Sequence, residues 1–251
     1  MTKFTDKVVL ITGAASGFGK ILANEFGKSG AKLILGDLNE DGVIAVGEEV
    51  KADTGADVVA KRCDVAKETD CEALVVAGVE AFGRLDIAIN NAGVGSEMKP
   101  LIETTEQDMD FNYSINTKGV FFGMKYQIRQ MLTQEGGAIL NVSSMAGLNG
   151  APKIAAYSAA KHAVIGLTKT GAVEYGRKNI RVNAVCPYFS PTPLISGSPI
   201  EENEDRYAMA VPMKRLGKPE EMVATMMSIL DPDNTYLNGQ AIAVDGGLSS
   251  F

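Results

Sequence analysis

Tyr157 and Lys161 are the two residues whose types and spacing most directly suggest chemistry. They are four residues apart in a segment with a helical pattern, so both side chains would lie on one face of a helix, within reach of each other. An ammonium group beside a phenol favours the phenolate and lowers the tyrosine pKa from about 10. A phenol tuned in this way can take a proton from an alcohol or return one to a ketone.

Ser144 is a candidate for holding the oxygen of such a substrate. It follows the strand-like run Ala138–Val142, and the carboxyl ends of parallel strands border the crevice where ligands bind. Its hydroxyl group would hydrogen-bond the substrate oxygen. Taken singly, each of the three residues also fits an ordinary structural position, so the hypothesis depends on their combination.

A glycine-rich loop, Thr12–Gly19 (TGAASGFG), follows the first strand-like run and opens a helix. Glycines let the backbone turn tightly and approach a ligand closely. The N-terminus of the helix then offers free N–H groups to a pyrophosphate. In this context the loop indicates a dinucleotide site rather than a plain tight turn.

The residue that ends the second strand-like run bears on the choice of cofactor. A carboxylate at Asp37 can accept hydrogen bonds from the adenosine ribose hydroxyls and would repel a 2′-phosphate. No lysine or arginine occurs at positions 14–16, 38 or 39 to neutralise such a phosphate. NAD is therefore favoured over NADP, although Asp37 also fits a simple loop cap. Asp64, followed by Val65, is a candidate to hold the adenine amino group after the third run.

Short apolar runs alternate with longer helical patterns along the chain. The runs are rich in Val and Ile, as is typical of strands buried on both faces; they are Lys7–Thr12, Lys32–Asp37, Asp57–Cys63, Leu85–Asn90, Ala138–Val142, Arg181–Cys186 and Gln240–Val244. Helical patterns include Gly19–Gly30, Lys67–Phe82, Thr105–Gln134, Ile154–Arg177 and Pro219–Leu230. The alternation predicts an α/β, doubly wound Rossmann-type fold with a seven-stranded parallel sheet and helices on both faces.

No linker or low-complexity segment divides the chain, so a single domain over residues 1–251 is expected. One irregular stretch, Pro187–Gly217, carries five prolines and an acidic patch at 201–205. A long insertion of this kind is usually functional, and we expect a substrate lid here. The alternative is a mobile surface loop.

Composition narrows the classes of partner. The chain has 251 residues and a formal net charge of −7, which disfavours nucleic acid and anionic membranes. Three cysteines and a single histidine, His162, form no zinc-like set, so no metal site is expected. The N-terminus lacks the pattern of a secretory signal, and no run of 18 apolar residues predicts a transmembrane helix. We therefore expect a cytoplasmic protein.

The ordered set of motifs resembles the short-chain dehydrogenase/reductase family over nearly the whole chain. The carrying segments are the glycine loop, Asn90–Gly93 (NNAG), the serine 13 residues before Tyr157, Tyr157–Lys161 (YSAAK) and Val244–Gly247 (VDGG). The resemblance implies Ser144, Tyr157 and Lys161 as the catalytic group, with Tyr157 as general acid/base and Lys161 also binding the nicotinamide ribose.

Further roles follow from the same resemblance. Asn116 falls where the family keeps an asparagine for a water-mediated proton relay, and Asn112 is the nearby competitor. The cofactor-binding positions would be Gly13, Ser16, Gly17, Phe18, Gly19, Asp37, Asp64, Val65, Asn91, Ala92, Gly93, Tyr157, Lys161, Pro187 and Thr192. The resemblance also implies a homotetramer in which the long helices pair between subunits.

One position departs from the family pattern. The family usually has Pro-Gly after the sixth strand, whereas this chain has Pro187-Tyr188. Tyrosine does not easily adopt the positive φ open to glycine, so either the loop differs or the angle there is not positive. Tyr188 and Phe189 are candidates to wall the substrate pocket beside Ser144 and Tyr157. The alternative is that they pack into a small core of the lid itself.

These features together predict an oxidoreductase that transfers a hydride between NAD(H) and a secondary alcohol or ketone. The substrate would be a small or medium apolar molecule, cyclic, aromatic or a 3-hydroxyacyl group. One alternative is a 3-oxoacyl carrier-protein reductase using NADPH, against which Asp37 and the acidic net charge both argue. The other is a non-catalytic NAD-binding regulatory protein, for which a broken Ser–Tyr–Lys set would be expected.

Overall fold

The structure, a computed structural model, describes residues 2–250, whose strands form one seven-stranded sheet. Its strands are β1 (Val8–Thr12), β2 (Lys32–Asp37), β3 (Val58–Arg62), β4 (Ile87–Asn90), β5 (Gly137–Val142), β6 (Ile180–Pro187) and β7 (Ala241–Val244). They lie in the order β3-β2-β1-β4-β5-β6-β7, and every pair is parallel. The predicted fold class and the seven predicted runs are confirmed, with ends displaced by at most two residues.

Helices cover both faces of the sheet because successive strand residues point to opposite sides. In β1, Val9 and Ile11 pack with one apolar cluster, whereas Val8 and Leu10 pack with the other. The helices are α1 (Gly17–Lys28), α2 (Glu40–Thr54), α3 (Glu68–Phe82), α4 (Glu106–Asn112), α5 (Lys118–Met131), α6 (Ala155–Tyr175), α7 (Pro199–Glu202), α8 (Glu204–Ala210) and α9 (Pro219–Leu230). Residues of α1, α2 and α9 supply the first cluster, and residues of α3, α5 and α6 supply the second.

The predicted helix over Thr105–Gln134 is interrupted in the structure. Its start is as expected, because Thr105 and Asp108 form a capping box at the N-terminus of α4. One π-helical turn, Tyr113–Thr117, then separates α4 from α5. A π turn inserts one extra residue into a helix and is common at functional sites. A pattern of apolar residues does not reveal such an insertion.

The segment 187–217 is more ordered than its proline content suggested. It contains α7, which begins after Ser198 with Pro199 in its first turn, and α8. Proline fits the first turn of a helix because its missing N–H would have no partner there. Within residues 2–250, no helix combines the length and apolar character needed to cross a membrane.

Candidate active site

The glycine loop between β1 and α1 has the backbone shape that only glycine allows. Gly13 and Gly17 have φ of 67° and 51°, in the left-handed region. A Cβ at Gly13 would lie 2.9 Å from the Cα of Ala92, and a Cβ at Gly19 would overlap the carbonyl oxygen of Gly13. Ser16 precedes α1 but makes no side-chain cap, so the first N–H groups of the helix remain free to donate hydrogen bonds to a ligand.

The loop after β4 is fastened to the glycine loop by hydrogen bonds. The Nδ2 of Asn91 donates to the carbonyl oxygens of Thr12 and Gly13, at 2.9 and 3.2 Å. In return, the N–H groups of Asn91 and Ala92 both donate to the hydroxyl oxygen of Thr12, at 3.1 Å. Thr12 was not predicted to have this role, although its place directly before Gly13 is visible in the motif.

Asp37 lies at the end of β2, beside the same loop. Its carboxylate accepts hydrogen bonds from the N–H of Ala15, at 3.0 Å, and from the N–H of Asn39, at 2.9 Å. The residue is only partly buried, so the remaining lone pairs of its oxygens stay open to a ligand hydroxyl. The loop-cap role and a ribose-binding role are therefore compatible.

The residues after β3 are held in a tight turn. Asp64 accepts a hydrogen bond from the N–H of Ala66, at 3.1 Å, and lies 3.7 Å from the ammonium of Lys67. Val65 is buried and packs against α5, since a Cβ at Gly119 would lie 2.8 Å from its Cγ2. The turn thus presents a partly buried carboxylate near the carboxyl end of the sheet.

Ser144, Tyr157 and Lys161 are brought together where β5 meets the start of α6. Ser144 caps a short helical turn over Met145–Gly147, accepting a hydrogen bond from the N–H of Ala146 at 3.1 Å. Tyr157 lies in the first turn of α6, and the Nζ of Lys161 lies 5.5 Å from the centre of its ring. Lys161 also donates to the carbonyl of Val142, at 2.9 Å.

Two further hydroxyl groups join β5 to α6 and so set the positions of this group. The hydroxyl of Ser143 donates to the carbonyl of Lys161, and that of Ser158 donates to the carbonyl of Ala146, both at 2.8 Å. A Cβ at Gly147 would lie 2.5 Å from the hydroxyl oxygen of Ser143. This role of Ser143 and Ser158 was not predicted, and the sequence marks these serines only by their adjacency to Ser144 and Tyr157.

Burial shifts the pKa values of the ionisable side chains in this group of residues. It lowers the pKa of Lys161, which is 4% exposed, to about 8. It also raises the pKa of Tyr157, with a smaller opposing effect from the hydroxyl of Ser144. The direction for Tyr157 differs from the sequence expectation, because the ammonium packs against the ring and donates to Val142 rather than to the phenol oxygen. Burial raises the pKa of the nearby Cys186 thiol to about 11, so this buried cysteine stays neutral.

Asn116 lies in the π turn, fully buried. Its Oδ1 accepts from the N–H of Val94 at 3.0 Å, and its Nδ2 donates to the carbonyl of Val94 at 2.9 Å and to the Oδ1 of Asn112 at 3.0 Å. A Cβ at Gly93 would lie 2.8 Å from the Oδ1 of Asn116 and 3.4 Å from the Nζ of Lys161. The two asparagines weighed in the sequence analysis therefore form one network, and Asn116 is the nearer of them to Gly93.

A cavity of about 220 Å³ lies on the other side of Asn112. The loop after β4, α4 and the residues just before Tyr157 line it, including Ser96, Phe111 and Ile154. The hydroxyl of Ser96 is buried without a hydrogen-bond partner among the described residues.

The segment after β6 crosses over the glycine loop. A Cβ at Gly17 would lie 3.7 Å from the Cβ of Thr192. Tyr188 has no positive φ, which decides between the two backbone alternatives for this position. The ring of Phe189 lies 4.6 Å from that of Tyr188 and 5.0 Å from that of Tyr207 in α8. Ser190 is 4% exposed, and its hydroxyl has no partner within residues 2–250.

Comparison with known proteins identifies the family to which this chain belongs. Residues 13–249 match a family model described as enoyl-(acyl carrier protein) reductase. The chain is 38% identical to levodione reductase of Leifsonia aquatica, over 99% of this chain and 96% of that protein. It is also 38% identical to cyclohexanol dehydrogenase of an Acinetobacter species, over 99% and 97%. The chain belongs to the short-chain dehydrogenase/reductase family and is an oxidoreductase.

Solved structures of similar proteins share the fold of this chain. The crystal structure of levodione reductase superposes with a TM-score of 0.94, at 37% identity, covering 98% of this chain and 99% of that chain. A 3-ketoacyl-(acyl-carrier-protein) reductase from Brucella melitensis, complexed with NADH, gives 0.89 at 33% identity, covering 98% and 99%. A variant of actinorhodin polyketide ketoreductase with NADPH gives 0.91 at 32%, covering the whole of both chains. Both of the nicotinamide cofactors are thus found among similar proteins.

Proposed function

We propose that this protein is an NAD-dependent dehydrogenase/reductase that interconverts a secondary alcohol and a ketone, with a small cyclic molecule as its substrate. The observation that carries the proposal is the meeting of Ser144, Tyr157 and Lys161 beside Gly93, at the carboxyl edge of a parallel sheet. A buried ammonium that makes one hydrogen bond still has two donors for a ligand.

The residues at this edge fit a dinucleotide. Gly13, Gly17 and Gly19 leave room for the pyrophosphate at the uncapped N-terminus of α1, and Asp37 offers free lone pairs to the adenosine ribose. Asp64, Val65 and Asn91–Gly93 would line the adenosine side. Lys161 would hold the nicotinamide ribose. Pro187, Thr192 and the unpartnered hydroxyl of Ser190 would meet the nicotinamide end. Asp37, with no cation next to it in the loop, favours NAD.

The chain's own residues would handle the oxygen and the proton of the substrate. When bound, the cofactor supplies or accepts the hydride. Ser144 would hydrogen-bond the substrate oxygen, and Tyr157 would give that oxygen a proton during reduction or remove one during oxidation. Lys161 would keep positive charge near the phenol. Asn116 would order the loop at Val94 and pass the proton outward through water, in the relay that the family resemblance implies.

The segment 187–217 is the proposed substrate lid, within a single domain spanning 1–251. Two relatives are named for a reaction of levodione and of cyclohexanol, and cyclohexanol has a six-membered carbocyclic ring. Tyr188 and Phe189, together with Ser144 and Tyr157, would wall a pocket for such a ring. The contact of Phe189 with Tyr207 also supports a part for these rings in the packing of the lid itself.

A substrate and cofactor panel tests the proposal. Purified protein is assayed with NAD(H) and NADP(H) against cyclic ketones, acyclic ketones and a 3-oxoacyl thioester, following the absorbance of the reduced cofactor. We expect turnover of cyclic ketones with NADH at a kcat/KM about 100-fold above that with NADPH. Preference for the thioester with NADPH would instead support a 3-oxoacyl carrier-protein reductase. NAD binding with no turnover of any compound would support a regulatory protein.

The variant Asp37→Ser isolates the cofactor choice. Removing the carboxylate removes both the ribose contact and the repulsion of a 2′-phosphate, so the NADH/NADPH ratio should fall by at least about 10-fold. Asp57→Ser, at an exposed aspartate before β3, is the matched control and should leave the ratio unchanged. An unaltered ratio in Asp37→Ser would show that another group sets the preference.

We also propose a homotetramer. Exposed apolar side chains of α4, the π turn, α5 and α6 support it; they are Met109, Phe111, Tyr113, Phe121 and Val173. Light scattering coupled to gel filtration should give four times the mass of 26.5 kDa. The cytoplasmic location stays a prediction from the sequence.

A further inference from the structure

Four uncharged polar side chains form one continuous chain of hydrogen bonds between the sheet and helices α5 and α6. The amides of Asn90 and Gln127 bond to each other in both directions, at 3.0 and 2.8 Å. Asn90 also donates to the Oδ1 of Asn141, at 2.8 Å, and the Nδ2 of Asn141 donates to the hydroxyl oxygen of Thr168, at 2.9 Å. All four side chains are buried. We call Asn90, Gln127, Asn141 and Thr168 the polar network.

The donors of the polar network are fully used. The second N–H of Asn141 is directed at the Sδ of Met124, at 3.2 Å, and the hydroxyl of Thr168 donates to the carbonyl of Val164, at 2.8 Å. Each side-chain N–H and O–H of Asn90, Asn141 and Thr168 therefore has a partner. Met124 and Val164 belong to the apolar cluster of α3, α5 and α6, where apolar side chains would serve burial equally well. A fully bonded polar network instead specifies one arrangement of the elements that carry it.

Each member of the polar network lies on an element that carries part of the candidate active site. Asn90 ends β4 and directly precedes Asn91, which bonds to the glycine loop. Asn141 lies opposite Asn90 in β5, three residues before Ser144. The member on α5 follows the π turn, and Thr168 lies on the helix that supplies the tyrosine and the lysine. The network thus joins the four elements that converge on the site.

Thr168 shares one face of α6 with Tyr157 and Lys161. It follows them by 11 and 7 residues, which are close to three and two turns of an α-helix. The hydroxyl of Ser143 attaches this helix to β5 at the carbonyl of Lys161, at 2.8 Å. The bond from Asn141 to Thr168 adds a second attachment, roughly 10 Å further along the helix axis. Two attachments on one face fix both the rotation of the helix and its position along the strand, whereas a single attachment lets it pivot.

We propose that the polar network positions α6 for the reaction and that Thr168 is the positioning residue on this helix. The network holds α6 at the rotation and height that bring the phenol of Tyr157 to the substrate oxygen at Ser144. Thr168 acts through Tyr157 and not by contact with the substrate. Proton transfer depends on placement to a fraction of an ångström, so a small rotation of α6 lowers the rate more than it weakens binding. This inference rests on the proposed function, because it concerns the same reaction.

Two replacements of Thr168 separate positioning from stability. Thr168→Val keeps the shape of the side chain but removes the acceptor of Asn141, whereas Thr168→Ser keeps the hydroxyl and removes a buried methyl group. Both variants should unfold at a lower urea concentration than the wild type. In a stopped-flow single turnover with NADH and the ketone that the substrate panel selects, Thr168→Val should react about 10- to 30-fold more slowly. Thr168→Ser should stay within about 3-fold of the wild-type rate, and NADH affinity should stay within about 3-fold in both.

Thr170→Val is the matched control. The hydroxyl of Thr170 makes the same kind of bond, to the carbonyl of Gly166 four residues earlier in α6, at 3.0 Å, but this side chain is exposed and lies outside the polar network. Its removal should leave the single-turnover rate unchanged. Gln127→Met tests the network from its other end and carries the test if Thr168→Val does not fold; it should slow the turnover by about 10-fold. Combined with Thr168→Val, it should slow the turnover by less than the product of the two single losses, as expected of residues that act as one unit.

A wild-type rate in Thr168→Val, or equal slowing in Thr168→Val and Thr168→Ser, overturns the inference and leaves the proposed function standing. Single losses that multiply in the double variant also overturn it, because the two ends would then act independently. Absence of turnover by the wild type with every compound of the panel overturns the proposed function and the inference with it.

Discussion

The carboxyl edge of the sheet and the lid are built by different means. At the edge, polar side chains of one segment bond to the backbone of another: Asn91 to Thr12 and Gly13, Asn116 to Val94, and Ser143 to Lys161. In the lid, most side-chain hydrogen bonds join residues that are close together in the sequence. One example is the bond from the N–H of Gly197 to the carboxylate of Glu201, at 2.6 Å. The lid is joined to β6 through aromatic packing.

This difference teaches which part of the molecule is free to vary. Hydrogen bonds between separate segments of the chain fix donors and acceptors to a fraction of an ångström, as a proton transfer requires. Ring packing holds a surface in place but tolerates other apolar side chains of similar volume. In the proposed function, the edge would therefore define the reaction, and the segment proposed as the lid would set the substrate without disturbing the reaction.

The largest expected effect comes from removing the phenol oxygen at the edge. Tyr157→Phe should lower kcat by about 1000-fold, because the proposed function assigns the exchange of the substrate proton to this phenol. NADH affinity, measured by fluorescence titration, should stay within about 3-fold. Tyr236→Phe serves as the control for tyrosine replacement. Retention of more than a tenth of the activity would mean that the edge does not act through this phenol.

Two helical glycines, Gly19 and Gly166, differ in the space around them, so an alanine at each tests the close packing at the cofactor site separately from the general effect of replacing a helical glycine. In Gly19→Ala the new methyl group would overlap the carbonyl oxygen of Gly13, whereas nothing lies within 4 Å of a Cβ at Gly166. Gly19→Ala should weaken NADH binding by about 100-fold and lower the free energy of unfolding by about 1–3 kcal/mol. Gly166→Ala should raise that free energy by about 0.5–1 kcal/mol and leave binding unchanged. Equal binding by both variants would contradict the close packing at the edge.

The buried ammonium of Lys161 makes stability at the edge depend on pH. Its pKa is about 8 in the folded protein against an ordinary 10.5, so between these values the unfolded chain binds more protons and wild-type stability rises with pH. Lys161→Met removes the buried charge and should therefore be more stable than the wild type at pH 7, by about 1–3 kcal/mol. Urea unfolding should show this difference shrinking as the pH rises from about 8 to 10. A difference independent of pH would show that the charge is not the cause.

The smallest effect is expected in the lid. Phe189→Leu loses two aromatic contacts, which should cost about 0.5–1.5 kcal/mol of unfolding free energy and raise the substrate KM several-fold. NADH affinity should not change, since Phe189 makes no bond to the glycine loop. A tenfold loss of NADH affinity in this variant would show that the lid and the edge are not separable.

Much of the fold was readable from the sequence because its signals are local. Val- and Ile-rich runs predicted all seven strands, and the helical pattern that begins at Thr105 predicted where α4 starts. The helix α2 fits the predicted alternation of strands and helices, and Val43, Val46 and Val50 supply a helical spacing on its buried side. Apolar periodicity could not reveal the π turn at Tyr113–Thr117, because the bonds of Asn116 within it go to the backbone of Val94 in another segment, which no local spacing marks.

The sequence predicted which residues form the candidate site, but it did not predict the electrostatic environment around them. Spacing predicted that Lys161 and Tyr157 share a helix face, and the structure places them so. The shift expected for the tyrosine pKa had the wrong direction, because it depends on burial and on which atom receives the hydrogen bond of Lys161. Ser143, Ser158 and Thr12 were overlooked as supports, since their partners are backbone carbonyl and N–H groups that no sequence pattern marks.

The π turn at Tyr113–Thr117 makes chain length, rather than residue type, the critical property of that helix. Deleting any one of its five residues would allow a regular α-helix to run from α4 into α5. Every side chain before the deletion would then rotate by roughly 100° relative to those after it. Asn116 could no longer reach both backbone groups of Val94, so this site should tolerate many exchanges of exposed side chains but no shortening by one residue.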